Sequence, residues 1–269
     1  MKDLLASIDF AALYRRQARL STFRARSAAD WDRRAAPRSR HEKGSDYARK
    51  FMARLDLTEV RTVLDIGCGS GNLALPLARR VRRVHALDFS PEMLRLLRAN
   101  ARAEGVRNIT THRRAWAEDW AGIPRADMVI CSRAMAVDDL QAALAKMTAY
   151  ARRRCCLTLH ADPSFLSADV YCILRRPVIP RPNYIYAVNI LYQLGYHARV
   201  DFLHTTGGLI YDSAAQFIAG IRWRIGPLTQ PEEKRLRAYY LALPRRANGR
   251  AFYRHDFEWA LLSWEIKPR

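Results

Sequence analysis

Short apolar runs alternate with amphipathic stretches from residue 62 onward. The runs have the length of buried strands, and the stretches between them place apolar residues at helical spacing. Strands that alternate with helices in this way are typical of a parallel sheet covered by helices on both faces. The sequence therefore predicts an α/β fold with a doubly wound, mostly parallel sheet, with strands over 62–66, 84–88, 108–113, 127–131 and 154–160 and helices over 72–81, 91–104 and 138–152.

The second half of the chain is less regular. Its pattern predicts a helix over 184–194, a strand over 198–203, helices over 213–224 and 231–241, and a last strand over 257–266. A strand that follows a helical insertion favours an antiparallel hairpin at the end of the sheet. We therefore expect a single domain over 1–269, made of an N-terminal helical cap (1–50), a core (51–211), a helical insertion (212–250) and a final strand (251–269).

The turn after the first predicted strand carries the candidate chemistry. Gly67, Gly69 and Gly71 have the spacing GxGxG, and glycines let the backbone turn tightly and let a ligand approach without meeting a Cβ atom. Asp65 lies two residues earlier, where a carboxylate would repel a pyrophosphate and attract the ammonium group of a methionine moiety. Asp88 ends the next strand, where an acid can accept hydrogen bonds from both hydroxyls of a ribose.

With these residues the chain resembles the class I methyltransferases that depend on S-adenosylmethionine (SAM). The resemblance rests on 63–73, 86–94 and 126–132 and covers about 57–160. It implies a seven-stranded sheet whose last strand is antiparallel, with SAM as the cofactor across the carboxyl ends of the strands. The full set of candidate cofactor-binding residues is Asp65, Gly67, Cys68, Gly69, Gly71, Asp88, Phe89, Ser90, Trp116 and Ser132.

The resemblance implies a separate contact for each part of the cofactor. Asp65, Gly67 and Gly69 would bracket the methionine part, Asp88 would hold the ribose, and Phe89 would pack against the adenine.

The chain departs from the family pattern after the third strand. Many members have an acid there that binds the adenine amino group, but this chain has Trp116, with Glu118 and Asp119 nearby. Trp116 would then stack on the adenine ring. The alternative is that Trp116 and Trp120 are core residues of a short helix, and the sequence does not decide between the two.

The candidate catalytic residues are His41, Arg133 and Tyr184. His41 could serve as a base near neutral pH, Arg133 could meet an anionic substrate, and Tyr184 belongs to an aromatic set; a structural or solvated role is the alternative for each. The segment after the fourth strand lacks the Asn/Asp-Pro-Pro-aromatic motif of enzymes that methylate base or amide nitrogens. Asp138 is interpreted as the cap of the next helix.

The composition narrows the partners without choosing one. The net charge is +20, which suits an anionic small molecule or RNA, or reflects only the arginine-rich usage of the chain. The five cysteines lack metal-ligand spacing, and no secretion signal or membrane span is evident. We expect a cytoplasmic methyltransferase without a metal that acts on a small, anionic acceptor; the alternatives are an RNA methyltransferase and a SAM-binding protein without catalytic activity.

Overall fold

A computed structural model describes residues 4–23, 25–35, 45–161, 166–177, 179–205 and 208–266. Within them the strands are β1 (Thr62–Ile66), β2 (Arg83–Asp88), β3 (Ile109–Arg113), β4 (Ala126–Ser132), β5 (Ala151–His160), β6 (Arg199–Thr205), β7 (Gly208–Tyr211), β8 (Ala251–Arg254) and β9 (Phe257–Glu265). The helices are α1 (Phe10–Leu20), α2 (Ala28–Ala35), α3 (Asp46–Arg54), α4 (Ala74–Ala78), α5 (Pro91–Ala103), α6 (Leu140–Tyr150), α7 (Ala168–Leu174), α8 (Tyr184–Gln193), α9 (Ala214–Ile225) and α10 (Gln230–Ala242), and a single 3-10 turn spans Leu5–Ser7.

Seven strands form one sheet in the order β3-β2-β1-β4-β5-β9-β6. The neighbours from β3 to β5 pair in parallel, and β9 runs antiparallel to both β5 and β6. This arrangement confirms the doubly wound sheet and its antiparallel last strand. The order reverses between β1 and β4, and in open sheets of this kind ligands bind at the carboxyl ends of the strands beside that point.

Helices cover the sheet on both faces because the apolar side chains of the central strands alternate between two cores. One core takes in Leu64, Val129 and Leu157 together with residues of α1, α6 and α8. The other takes in Val63 and Met128 together with residues of α3, α4 and α5. The predicted N-terminal cap is therefore divided, since α1 and α3 pack on opposite faces.

The insertion, together with α7, β7 and β8, forms a small hydrophobic core separate from the two cores of the main sheet. Helices α9 and α10 pack with α7, and β7 pairs antiparallel with β8 in a separate two-stranded sheet. Residues 251–254, grouped by the sequence with the last strand, pair with β7 instead. Neither α7 nor this short sheet was predicted.

Two local predictions need correction. Asp138 does not cap α6: the cap is Asp139, whose side chain accepts a hydrogen bond from the Ala142 N–H. Helix α4 spans only Ala74–Ala78 rather than 72–81, because the glycine turn extends to residue 73 before the helix begins.

None of the helices in the described ranges is long and apolar enough to span a bilayer.

Candidate active site

The turn after β1 uses its own N–H groups internally. Those of Gly67 and Cys68 donate to the carbonyl oxygen of Leu87, at 2.7 and 3.1 Å, and that of Gly69 donates to Asp88 Oδ2 at 2.9 Å. The Gly71 N–H donates to the Cys68 carbonyl at 3.1 Å. Loops that bind phosphate point free N–H groups at the anion. This turn has committed those four donors, so it is suited to a cationic group rather than to a phosphate.

A buried carboxylate lies directly below the turn. Asp65 is 1% exposed, and its Oδ2 has no hydrogen-bond partner among the described residues. Burial, with the nearby charge of Asp88, raises the pKa of Asp65 to about 7. An isolated carboxylate is costly to bury, and an ammonium group would give it the missing partner. These features fit the aminoacyl end of SAM.

The carboxylate of Asp88 is held in one orientation at the end of β2. Its Oδ2 accepts from the Gly69 N–H and its Oδ1 accepts from the Ser90 N–H, both at 2.9 Å. Burial raises the pKa of Asp88 in spite of these bonds, and the charge of Asp32 raises it further. Because a carboxylate oxygen has two lone pairs, each oxygen can still accept a hydroxyl donor.

Ser90 connects Asp88 to Asp32, a residue that was not predicted from the sequence. The fully buried Ser90 hydroxyl caps α5 by accepting from the Met93 N–H and donates to Asp32 Oδ1 at 2.5 Å. Asp32 lies on α2 and also accepts from the Glu92 N–H at 3.3 Å. Its contact with Ser90 spans 58 positions, and no local motif marks it.

The segment after β4 lies against the glycine turn. Gly67 has φ +69°, and a Cβ atom there would collide with the Ala134 side chain. The Trp116 indole N–H donates to the Ala134 carbonyl oxygen at 3.3 Å, and its ring lies 5.3 Å from that of the buried Trp120. Trp116 is half-buried whereas Trp120 is core. Phe89, also partly exposed, follows Asp88.

Tyr47 joins the ends of β4 and β5. Its hydroxyl lies 2.6 Å from Ser132 Oγ and 2.8 Å from Thr158 Oγ1. The guanidinium carbon of Arg133 lies 4.2 Å from the centre of the Tyr47 ring. Arg133 is exposed, adopts φ +58°, and has no carboxylate within ion-pair distance among the described residues.

A second group of side chains follows β5. The His160 ring lies 4.0 Å from that of Trp259, its neighbour on β9. Burial holds the pKa of His160 well below its ordinary value, and so do the positive charges of Arg181, His255 and Arg133. Burial also lowers the pKa of Arg181 to about 10, so its guanidinium remains charged at neutral pH. The carboxyl edge beside β4 and β5 therefore carries desolvated positive charge.

Four other predicted residues add no side chain to this arrangement among the described residues. The Cys68 thiol is buried in a hydrophobic core, and Gly71 is packed closely against Leu75 and Leu97. Tyr184 packs edge to face against Phe202 on β6, the strand at the sheet edge. His41 lies outside the described residues.

Comparisons with known proteins agree with this geometry. A family model described as a methyltransferase domain matches residues 63–154. An uncharacterized protein of Haemophilus influenzae is 32% identical over 262 residues, which covers 96% of this chain and 97% of that protein. A putative methyltransferase of Bacillus halodurans has a similar structure, with a TM-score of 0.56 and 17% identity over 84% of this chain and 100% of the other.

Relatives with a named activity match only in part. A 23S rRNA (uracil(1939)-C(5))-methyltransferase of Photobacterium angustum is 42% identical over 65 residues, or 24% of this chain and 30% of that protein. A ubiquinone biosynthesis O-methyltransferase of Xylella fastidiosa is 34% identical over 91 residues, or 34% of this chain and 37% of that protein. The chain thus spans about a third of the length of these two relatives. The family model, the full-length relative and the sheet order together show that the chain belongs to the class I SAM-dependent methyltransferases, whose methyl donor is S-adenosylmethionine.

Proposed function

We propose that the chain transfers the methyl group of SAM to a small anionic molecule bound beside the carboxyl ends of β4 and β5. The observation that carries the proposal is the buried Asp65 carboxylate, whose Oδ2 has no hydrogen-bond partner among the described residues, beside a turn in which four N–H groups are already used. Such a site favours a ligand with an ammonium group, because the ammonium would pair with the Asp65 carboxylate. SAM supplies an electrophilic methyl group on a sulfonium, so the protein has mainly to orient the two reactants.

Each part of the cofactor has a candidate contact. Asp65 would pair with the ammonium group, and Asp88 would accept from the ribose hydroxyls. Phe89 and Trp116 would form the walls of the adenine site, because both rings are partly exposed and follow the neighbouring strands β2 and β3. Gly67 and Gly69 would let the cofactor approach the turn.

The remaining predicted cofactor residues act less directly in this proposal. Ser90 is a positioning residue, since its hydroxyl and its N–H are engaged with Asp32 and Asp88. Ser132 would line the boundary between cofactor and acceptor, where it meets Tyr47. Cys68 and Gly71 contribute to the shape of the turn.

We call the space at the carboxyl ends of β1, β2, β4 and β5 the crevice. Its acceptor side, beside β4 and β5, favours a ligand with negative charge. Arg133 lies one residue from Ala134, which abuts Gly67, and its guanidinium lies over the ring of Tyr47, whose hydroxyl contacts the ends of β4 and β5. Arg181 adds a desolvated cation near His160. A guanidinium binds carboxylates and phosphates through paired hydrogen bonds, so we propose an acceptor that carries one of these groups.

A small acceptor is favoured over a nucleic acid by how this side is enclosed. Trp31 of α2 packs edge to face on Trp223 of α9, with ring centres 5.7 Å apart. Arg26 donates a hydrogen bond to the Trp223 carbonyl oxygen and lies over its ring. Helix α2 and the insertion therefore contact each other, and we propose that together they enclose the acceptor, whereas a nucleic-acid strand needs an open groove.

Calorimetric titration with S-adenosylhomocysteine tests the cofactor site. We expect the wild type to bind and Asp65→Asn to bind at least about 100-fold more weakly, because breaking a buried ion pair costs roughly 3–5 kcal/mol. The Asp65 carboxylate protonates as the pH falls through about 7. Wild-type affinity should therefore fall by about tenfold per pH unit below roughly pH 6, and Asp65→Asn should lose that dependence. Equal binding by the two proteins would contradict the proposal.

Titration of the S-adenosylhomocysteine complex with benzoate and with inorganic phosphate tests the acceptor site. We expect at least one anion to bind and Arg133→Gln to weaken it by about tenfold, the value of one charge-assisted hydrogen bond. Arg82→Gln is the matched control, because Arg82 is exposed and precedes β2, at the opposite edge of the sheet. An equal loss in both variants, or no binding to the wild type, would exclude a specific anion site at Arg133.

A further inference from the structure

Asp32 and Asp88 are connected through Ser90, the N-cap of α5. The Ser90 hydroxyl donates to Asp32, the Ser90 N–H donates to Asp88 Oδ1, and Asp88 Oδ2 accepts from the Gly69 N–H. Helix α2, which carries Asp32, packs along α5. Asp32, a residue of the N-terminal cap, is thus joined through Ser90 to Asp88, the acid proposed to bind the ribose.

The two oxygens of Asp32 differ in their use. Oδ1 accepts from the Ser90 hydroxyl and from the Glu92 N–H, whereas Oδ2 accepts no hydrogen bond from any described residue. Asp32 is partly exposed, and its negative charge is felt at Asp88. One oxygen therefore anchors the side chain and the other remains an available acceptor beside Asp88.

The three acids of this region concentrate negative charge. Neither Asp32, Asp65 nor Asp88 forms an ion pair with a described residue, and the buried Asp65 Oδ2 has no hydrogen-bond partner among those residues. The charge of Asp88 acts on Asp65 and that of Asp32 acts on Asp88, and such a group of carboxylates favours a ligand that is cationic and carries several donors. A nucleoside with a cationic side chain has both properties, and its ribose offers two hydroxyl donors.

We propose that Asp32 is a further cofactor-binding residue, whose Oδ2 accepts a ribose hydroxyl alongside Asp88. This inference rests on the proposed cofactor site. It also gives α2 a second task, because Trp31, the preceding residue, packs on Trp223 of the insertion. The helix that contacts the nucleoside is then the same helix that contacts the insertion.

Asp32→Asn separates this role from a structural one. The asparagine carbonyl oxygen can keep the bonds from Ser90 and Glu92, while its amide nitrogen cannot accept a hydroxyl donor. The probes are S-adenosylhomocysteine and its 2′-deoxy and 3′-deoxy analogues, titrated by calorimetry into the full chain. Asp30→Asn is the matched control, because Asp30 lies on the same helix and its side chain bonds, among the described residues, to Ser27 and Arg33.

We expect Asp32→Asn to weaken S-adenosylhomocysteine by about tenfold, and to weaken one of the two deoxy analogues by less than about twofold. Asp30→Asn should leave all three affinities unchanged. Unchanged affinity for the parent ligand in Asp32→Asn, or an equal loss for all three ligands, would overturn the inference. If the wild type itself fails to bind S-adenosylhomocysteine, the proposed cofactor site fails instead, so the two failures are distinguishable.

Discussion

Gly67 and Gly69 have similar backbone conformations but different surroundings. Their φ angles are +69° and +52°, a region that costs a residue with a side chain roughly 1 kcal/mol or more. A Cβ at Gly67 would collide with Ala134, whereas a Cβ at Gly69 would meet nothing within 4 Å. The first glycine is therefore required by packing as well as by conformation.

This difference predicts unequal effects of two substitutions on the ligand-free protein. Gly69→Ala should lower the free energy of unfolding by about 1 kcal/mol, the cost of the backbone conformation alone. Gly67→Ala should lower it by roughly 2 kcal/mol more, because overpacking adds to that cost. Urea denaturation measures both values, and Ala134→Gly should restore part of the loss in Gly67→Ala. Equal destabilisation by the two substitutions would show that the segment after β4 does not press on the turn.

At the scale of the element, the sequence predicted the structure wherever a periodic apolar pattern was long enough. The predicted bounds of β1, 62–66, match the structure, and those of β9 differ by one residue at its end. Helix α5 was predicted from its cap at Ser90 and from Pro91 at its first position, and both are present. A buried strand or a capped amphipathic helix can be predicted because its own residues show which side chains are buried and where the element begins.

The elements that were missed depend on distant partners. Strands β7 and β8 have four residues each and are stable only through each other and the helices beside them. Helix α7 is a seven-residue helix whose apolar side chains pack into the core of the insertion. In the candidate site, Asp65 and Asp88 could be proposed from the sequence because they flank a local motif. Asp32 and Arg181 could not, because only the folded chain brings Asp32 to Ser90 and Arg181 to the vicinity of His160.

The separate core of the insertion predicts a separable effect on stability. Phe217 is fully buried, with ring contacts to Tyr211, Tyr253 and two further tyrosines. Phe217→Ala should cost roughly 3–5 kcal/mol of local stability, seen as faster amide hydrogen exchange in α9 and α10. Binding of S-adenosylhomocysteine should change by less than about threefold, because the proposed cofactor acids Asp65 and Asp88 lie on β1 and β2 and Asp32 lies on α2, all outside the core around Phe217.

Leu241→Ala is the matched control, since Leu241 on α10 is 67% exposed and a surface change of this kind usually costs less than about 0.5 kcal/mol. If Phe217→Ala abolished cofactor binding while the central strands kept their protection, the insertion and the cofactor site would have to be one cooperative unit.

At the scale of the whole molecule, the net charge of +20 includes arginines at both the amino ends and the carboxyl ends of the strands. Arg82 and Arg83 are exposed at the amino end of β2, opposite the crevice. Arg152 and Arg153 are exposed near the amino end of β5. Arg153 forms an ion pair with Glu59 there. Arg133 and Arg181 act on His160, at the carboxyl end of β5. The two groups of arginines can therefore act on different partners.

Binding to RNA should accordingly be separable from methyl transfer. We expect bulk tRNA to bind weakly, with an affinity that falls steeply with salt, since each phosphate contact contributes about 0.9 to the slope of log affinity against log salt. Replacing Arg82 and Arg83 together by glutamine should reduce that slope by about 2, and Arg133→Gln should leave it unchanged. Filter binding over a range of salt concentrations measures the slopes, and labelled SAM measures transfer. We expect no label in the tRNA, because the basic surface that holds it faces away from the methyl donor. Label that enters tRNA, and that is lost in Arg133→Gln, would instead identify RNA as the acceptor and the crevice arginines as its phosphate contacts.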